Sequence, residues 1–175
     1  MTISSNYVPE KINDANLYLD GNIMIGTNAS LDLPEVKQKT STTTGAGISG
    51  EIDSPNIGQF ESMEQTVGFN VLYSSATDML KANSNVNLTI RAAQQVYDKN
   101  GGYAFKGLRI VERGRIKSAK LGKVEAGSSM DSEVTIELTY ILVEVAGEEV
   151  LCIDKLNHVY RIDGEDQLAE INALI

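Results

Sequence analysis

With 175 residues, 42% of them hydrophobic and 22% charged, the chain has the makeup of one globular domain rather than a disordered segment. Its 15 basic residues against 24 acidic ones leave a net charge of −9, which speaks against a general nucleic-acid binder, because such a protein needs a basic footprint to displace counterions. One cysteine, Cys152, and one histidine, His158, exclude an internal disulfide framework, a cysteine-built zinc site and a multi-histidine metal site.

The opening run Met1 to Tyr7 has no positive charge and no apolar core, so no secretion signal is expected. No window approaches the ~20 apolar residues of a membrane helix. Both points lead to the expectation that the chain is made and kept in the cytoplasm. Period-two alternation then recurs, and helical periodicity is scarce. Ala15 to Leu19, Asp20-Gly21 and Asn22 to Ile25 read as a hairpin, since Asp-Gly between alternating runs suits a tight turn. Ser30 to Leu33 is a short alternating piece stopped by Pro34, and Val36 to Thr44 is a polar strand. From Gly45 to Gln59 the glycine, serine and proline content predicts an extended loop or hairpin tip.

Order is expected again from Glu61 to Tyr73, with Met63, Val67, Phe69 and Val71 on one face and Glu64, Thr66, Gly68 and Asn70 on the other. Ser75 and Asp78 have capping-box spacing for a short helix whose apolar face is Ala76, Met79 and Leu80. Val86 to Tyr97 reads as a strand with Val86, Leu88 and Ile90 aligned, and Asn100-Gly101-Gly102 turns it into a second long strand, Tyr103 to Lys117. Gly122 to Ser129 is a loop. Glu133 to Val145 is the clearest strand, with Val134, Ile136, Leu138, Tyr140 and Leu142 on its apolar face and Glu133, Thr135, Glu137 and Thr139 opposite. Gly147-Glu148 turns it into Val150 to Asp154. Residues 163–175 are predicted as a C-terminal helix, capped by Asp163 and buried through Leu168, Ile171 and Leu174. The expectation is one domain over 1–175, mainly β, an antiparallel barrel or sandwich with two short helices.

Chemistry-bearing motifs are few. Gly45-Ala46-Gly47-Ile48-Ser49-Gly50 fits the dinucleotide pattern G-x-G-x-x-G, but that pattern has meaning only between a buried strand and a helix, and a polar threonine run precedes it. The glycines therefore read as a flexible loop. Cys152 lies in an apolar strand and reads as a small core residue. No nucleophile elbow is present, and no pair of carboxylates is marked by spacing as an acid and base. No enzyme, cofactor or metal is expected.

Charge is unevenly placed. Lys106, Arg109, Arg113, Arg115, Lys117, Lys120 and Lys123 concentrate positive charge, interrupted by Glu112. The stretch from Glu144 onward is acidic, with Glu148, Glu149, Asp154, Asp163, Glu165, Asp166 and Glu170. The basic run reads as a phosphate-binding strip, as a face that docks on an acidic neighbour, or as strand edges guarded by solvated cations. Opposite patches on one chain favour head-to-tail self-association. Long strands with one apolar and one Thr/Ser/Glu-rich face describe a sheet with one wet side, as in a large barrel that encloses water and shares its strands among subunits.

Several segments resemble the major tail tube proteins of contractile phage tails and of the R-type bacteriocins. They are Leu17-Tyr18-Leu19-Asp20-Gly21, Leu33-Pro34, the Gly45–Gly50 loop and Arg113-Gly114-Arg115, then Thr139-Tyr140, Gly147 to Asp154 and Gly164-Glu165-Asp166-Gln167-Leu168. The resemblance runs from about Asn16 to Leu168 in the same order and spacing. It implies a structural subunit without catalytic residues, assembled as hexameric rings that stack into a hollow tube. A sheath would surround that tube, with baseplate and tail-terminator proteins at its ends. DNA would pass through a phage tube as cargo, and ions through a bacteriocin tube that opens the target membrane. Assembly in the bacterial host cytoplasm would precede a place in the virion or particle. A type VI secretion-like tube or a baseplate tube-initiator is the alternative.

Carried onto this chain, the resemblance makes Gly45, Gly47 and Gly50 the loop that reaches the next ring. Strands at 36–44, 61–72, 105–117 and 133–145 would supply the inner barrel. Its lumen would be lined by Glu64, Thr66, Asn70, Glu133, Thr135, Glu137 and Thr139, an acidic surface that does not hold DNA back. With Leu108 and Ile110 toward the core, Arg109, Arg113 and Arg115 fall on the lumen side; the alternative is that they pair with carboxylates of a neighbouring subunit.

Overall fold

A computed structural model describes residues 7–28, 30–81 and 84–175, without the side chains of 75 and 76. The elements in chain order are β1 (Tyr7–Leu19), β2 (Asn22–Ile23), β3 (Gln38–Thr43), β4 (Ile52–Phe60), β5 (Glu64–Phe69), α1 (Ser74–Asp78), β6 (Val86–Asp98), β7 (Gly102–Lys120), β8 (Ser132–Val145), β9 (Glu148–Asp154), β10 (Val159–Ile162), β11 (Glu165–Asp166) and α2 (Ala169–Asn172). All strand pairs are antiparallel. One sheet runs β11-β10-β9-β8-β7-β6-β1-β2, and β5 pairs with β8 off this path.

The sheet is open, so the barrel closure expected of the chain is corrected for the single subunit: β2 and β11 end the path on opposite sides. The branch at β8 has a simple cause. Its first half pairs with β5, from Ser132↔Phe69 to Glu137↔Glu64, and its second half pairs with β9, from Tyr140↔Asp154 to Val145↔Glu148. β7 runs along the other side of both halves. The core collects on one face of this arrangement, from Leu17 and Leu19 through Val86, Leu88, Ile90 and Ile110 to Val134, Ile136, Leu138, Ile141 and Ile153. Met63, Val67, Phe69 and Met79 cover it. At about 25 cal/mol per Å² of apolar surface, burial of each such side chain contributes about 2 kcal/mol.

Local sequence explains much of this. Asp20 and Gly21 both have positive φ, 48° and 84°, the pair of left-handed residues that a two-residue hairpin turn needs. The turn seats Tyr18 opposite Ile23. β1 begins at Tyr7, well before the expected start at Ala15, and pairs with β6 along its length. Ser30 to Leu33 forms no strand.

Four expectations need correction. Residues 52–59 are not loop: β4 starts at Ile52 and holds Pro55, which a two-stranded edge tolerates because one side of each strand lacks a partner. Val71 lies past the end of β5 and is 52% exposed, so it does not share the buried face of Val67 and Phe69. In β8 the alternation changes phase at Thr139: Leu138 and Ile141 are buried, and Tyr140 and Leu142 turn to the opposite face. The cause is a bulge opposite Arg113/Gly114, and an extra residue in one strand reverses the facing of all that follows. The predicted helix over 163–175 is one turn, Ala169–Asn172. Asp163 sits in a turn with φ of 50° and does not cap it, and Ile171 and Leu174 are exposed, leaving only Leu168 of the expected stripe buried.

The first helical turn also differs. Its N-cap is Tyr73, with no side-chain cap, so Ser75 falls inside the turn rather than at a capping box. The side chains of Ser75 and Ala76 lie outside the described residues. Met79 is buried as expected.

Candidate assembly surfaces

The glycine motif sits at the tip of the β3–β4 hairpin, which forms a two-stranded sheet of its own. Every residue from Lys39 to Pro55 is exposed. Gly47 and Gly50 hold φ of 93° and 131°, where a side chain would be strained, and the Ile48 amide donates to the Gly45 carbonyl at 3.1 Å. A strand, not a helix, follows the motif, so the context of a dinucleotide site is missing. Among the described residues the hairpin is anchored at its base. There Phe60 meets Tyr160 edge-on at 5.0 Å, and a β-carbon on Gly58 would lie 2.5 Å from Leu168 Cδ2. A lone two-stranded hairpin is marginally stable in water. Its exposed edges are open to strand pairing with another chain.

Glu64, Thr66, Glu133, Thr135 and Glu137 come together on the solvent face of β5, β8 and the end of β7. Cross-strand pairing sets Glu64 against Glu137 and Thr66 against Thr135, with the two threonine hydroxyls 3.1 Å apart. Like charges facing each other are unfavourable unless a cation intervenes. Here Lys117 bonds Glu64 and lies 3.6 Å from Glu137, Lys155 lies 3.8 Å from Glu137, and Lys120 lies 3.4 Å from Glu133. The Lys117 hydrogen bond holds the Glu64 carboxyl below its usual range, and Glu64 in turn raises the Lys117 ammonium. Partial burial pulls Lys155 below the usual lysine range, and its ammonium donates to the Glu61 carbonyl at 2.8 Å. The face is therefore mixed in charge, not simply acidic. Asn70 stands exposed beyond the end of β5, and the Thr139 hydroxyl donates across the bulge to the Arg113 carbonyl at 3.4 Å.

The three arginines share a face but not a role. Arg109 is satisfied within the chain by Glu144 at 2.7 Å. Arg113 lies over the Tyr140 ring, 4.7 Å from its centroid. Arg115 has no ion-pair partner among the described residues. Arg113 and Arg115 border a cleft of about 200 Å³ with Asn87, Tyr140 and Asp154. Sequence reasoning placed Lys117 and Lys120 in the basic run without seeing that they neutralise the carboxylates of the neighbouring strands. Lys155 lies outside that basic run, and its place here comes from the turn that follows β9.

The remaining chemistry is sparse. Burial pushes the Cys152 thiol up, away from the reactive thiolate. His158 is exposed in the β9–β10 turn with φ of 53°. A cavity of about 230 Å³ is walled by Ile12, Leu17, Leu31, Leu33, Ile90 and Leu108 among others, with no titratable group. Among the described residues no cluster of metal-ligating side chains occurs, and no helix is long and apolar enough to cross a membrane.

A family model described as phage tail tube protein FII matches residues 9–175. The chain is 26% identical over 165 residues to the tail tube protein of Escherichia phage P2, covering 93% of this chain and 95% of that one. It is 28% identical over 161 residues to the major tail tube protein of Serratia phage KSP20, covering 91% of each.

Proposed function

We propose, given that the chain belongs to the phage tail tube protein FII family, that its copies close into hexameric rings and stack as the inner tube of a contractile tail. The subunit is structural, and it works as a wall rather than as a catalyst. In a phage the bore passes DNA, and in a bacteriocin it passes ions across the target membrane. A sheath surrounds the tube, and baseplate and terminator proteins close its ends. Assembly takes place in the host cytoplasm.

The observation that carries this reading is the β3–β4 hairpin, exposed from Lys39 to Pro55 and, among the described residues, anchored at its base. Such an element gains stability when another chain covers it. We assign Gly45, Gly47 and Gly50 to the contact with the next ring. The mixed-charge face of Glu64, Thr66, Glu133, Thr135 and Glu137, with Asn70 and Thr139 at its margins, is assigned to the lumen. Balanced charge there neither captures a polyanion nor repels it strongly.

Electron microscopy of the purified protein at high concentration tests the reading: long hollow filaments are expected, and discrete particles without a pore would sink it. Deleting Gly45–Gly50 should leave the unfolding midpoint of the monomer almost unchanged, within about 0.5 kcal/mol, because the tip buries nothing. The same deletion should stop filament growth, and filaments of normal length from the deletion variant would remove the tip from the stacking contact.

Arg113 and Arg115 are assigned to carboxylates of a neighbouring subunit, whereas Arg109 is spent on Glu144. The double variant Arg113→Glu/Arg115→Glu should therefore weaken assembly at low salt. Its deficit should shrink as ionic strength rises toward 1 M, where screening falls to about 3 Å. Light scattering that is the same for both proteins at every salt concentration would return these arginines to the solvent.

A further inference from the structure

β1, β6 and β7 extend past the end of β8 as a three-stranded ribbon. β8 stops at Val145, opposite Leu108, while β6 and β7 continue pairing to Asp98↔Gly102 and β1 continues to Tyr7↔Asp98. One face of this ribbon is aromatic. Register places Val8, Tyr97 and Tyr103 in one row and Lys11, Gln95 and Phe105 in the next. Tyr103 and Phe105 are 65% and 64% exposed, and Tyr97 packs edge-on against Tyr103 at 5.8 Å. Large aromatics standing in water on a rigid strand ribbon have the composition of an interface centre, not of an ordinary surface.

The charges around this patch are sorted. Lys11 and Arg91, on the same face, have no ion-pair partner among the described residues. Glu10 and Asp14 also lie close by and accept only from neutral donors, Asp14 from the Ala15 amide at 2.8 Å and Glu10 from the Gln95 side chain at 2.7 Å, so both keep their charge. The patch therefore offers apolar area whose rim carries both signs, with Lys11 and Arg91 open to pairing with an incoming carboxylate.

The C-terminal segment joins exposed apolar side chains to charge of one sign. From Asp163 onward the sequence carries Asp163, Glu165, Asp166 and Glu170 and no lysine or arginine. Its apolar side chains Ile171 and Leu174 are exposed, Leu174 at 87%. The segment cannot reach the aromatic ribbon of its own chain. Buried Leu168 pins it beside Gly58, on the β10–β11 side of the sheet, with β9 and β8 between it and β7.

We infer that the aromatic face of Tyr97, Tyr103 and Phe105 is the docking site for a second copy of this chain, which lays its acidic, aliphatic C-terminal segment (residues 163–175) across it. The contact is heterologous, so each copy offers both halves, and repetition closes a ring or extends a stack. The inference rests on the tube reading, since it names the surfaces through which copies of the subunit meet.

Two measurements test it. Tyr103→Ser/Phe105→Ser and, separately, Ile171→Ser/Leu174→Ser should each raise the concentration needed for assembly about tenfold, and combining them should add little further. In the second measurement, chains carrying Phe105→Cys are mixed with chains carrying Leu174→Cys and oxidised mildly during assembly. Native Cys152 is buried, so it does not compete. Disulfide-linked pairs of unlike chains, dissolved by reductant and several-fold more abundant than like pairs, are expected. Tubes that form normally from both serine variants, or wild-type-like tubes without the mixed disulfide, would overturn this docking and leave the tube reading intact. A wild-type chain that stays monomeric at every concentration, with no mixed disulfide, would overturn both.

Discussion

Replacing Gly114 by alanine should cost about 3 kcal/mol or more of folding stability, at the upper end of what overpacking does. An ideal β-carbon at this position would lie 2.1 Å from the Glu137 carbonyl oxygen and 2.9 Å from its carbon. The obstacle is backbone, so no side chain can swing aside. β7 and β8 would have to part at the bulge that sets the facing of Tyr140, Ile141 and Leu142. Against a domain stability of about 5–15 kcal/mol, that loss is large. Gly107 supplies the control. It lies on the same strand, and beyond its chain neighbours no atom of the described residues comes within 4 Å of its ideal β-carbon, so Gly107→Ala should be neutral or slightly stabilising. Denaturant midpoints of the two variants decide the matter, and equal midpoints would show that the bulge is not held by the missing side chain.

A second large effect is expected at Glu112, which sits in the core with 0% of its surface exposed. Neither carboxylate oxygen has a hydrogen-bond partner among the described residues. Its strand neighbours are Leu88 and Ile141, and burial alone pushes its pKa up to about 7 from 4.5. The folded chain thus keeps a proton that the unfolded chain releases. Stability from this group is complete below about pH 4.5 and declines as pH rises to about 7, by about 3 kcal/mol in all. Glu64 and Glu149, whose carboxyls are held low by Lys117 and Arg161, act in the opposite sense and at lower pH. Glu112→Met should remove the decline, matching wild type near pH 4.5 and exceeding it by about 3 kcal/mol at pH 8. Urea titrations at the two pH values measure this. A variant with the wild-type slope would mean that Glu112 is not the titrating group.

The same two residues mark where reading the sequence succeeds and where it stops. Period-two alternation located Val86, Leu88 and Ile90 on a buried face, and Asp20-Gly21 announced a tight turn. These are local signals, carried by the strand or turn itself. Glu112 looked like a break in a cationic run because its inward direction depends on the partner strands β6 and β8. The phase change in β8 is invisible in β8 alone, since the extra residue shows only in the pairing with β7, where Arg113 faces Tyr140 and Gly114 faces Leu138. Pro55 hid β4 because proline normally argues against a strand. The short C-terminal turn was overextended because Leu168, Ile171 and Leu174 keep helical spacing although only the first meets a partner.

The candidate surfaces divide in the same way. Alternation was enough to gather Glu64, Thr66, Glu133, Thr135 and Glu137 on one face. It did not reveal Lys117 among them, because a register shift between Ile116 and Ser118 intervenes, nor Lys155, which arrives from beyond β9. The aromatic ribbon was missed for a related reason. Tyr97, Tyr103 and Phe105 belong to strands that read as ordinary, and their exposure comes from lying on the solvent face of the sheet that also carries Arg109 and Arg113.

The long β6–β7 ladder also has a mechanical consequence. Its rungs continue without a register shift from Val86↔Gly114 to Asp98↔Gly102, and antiparallel hydrogen bonds stand perpendicular to the strands. A pull along the strand axis therefore strains all the rungs in shear at once instead of unzipping them one after another. The subunit is toughest in that direction, and it yields most easily to a force that peels an edge strand sideways.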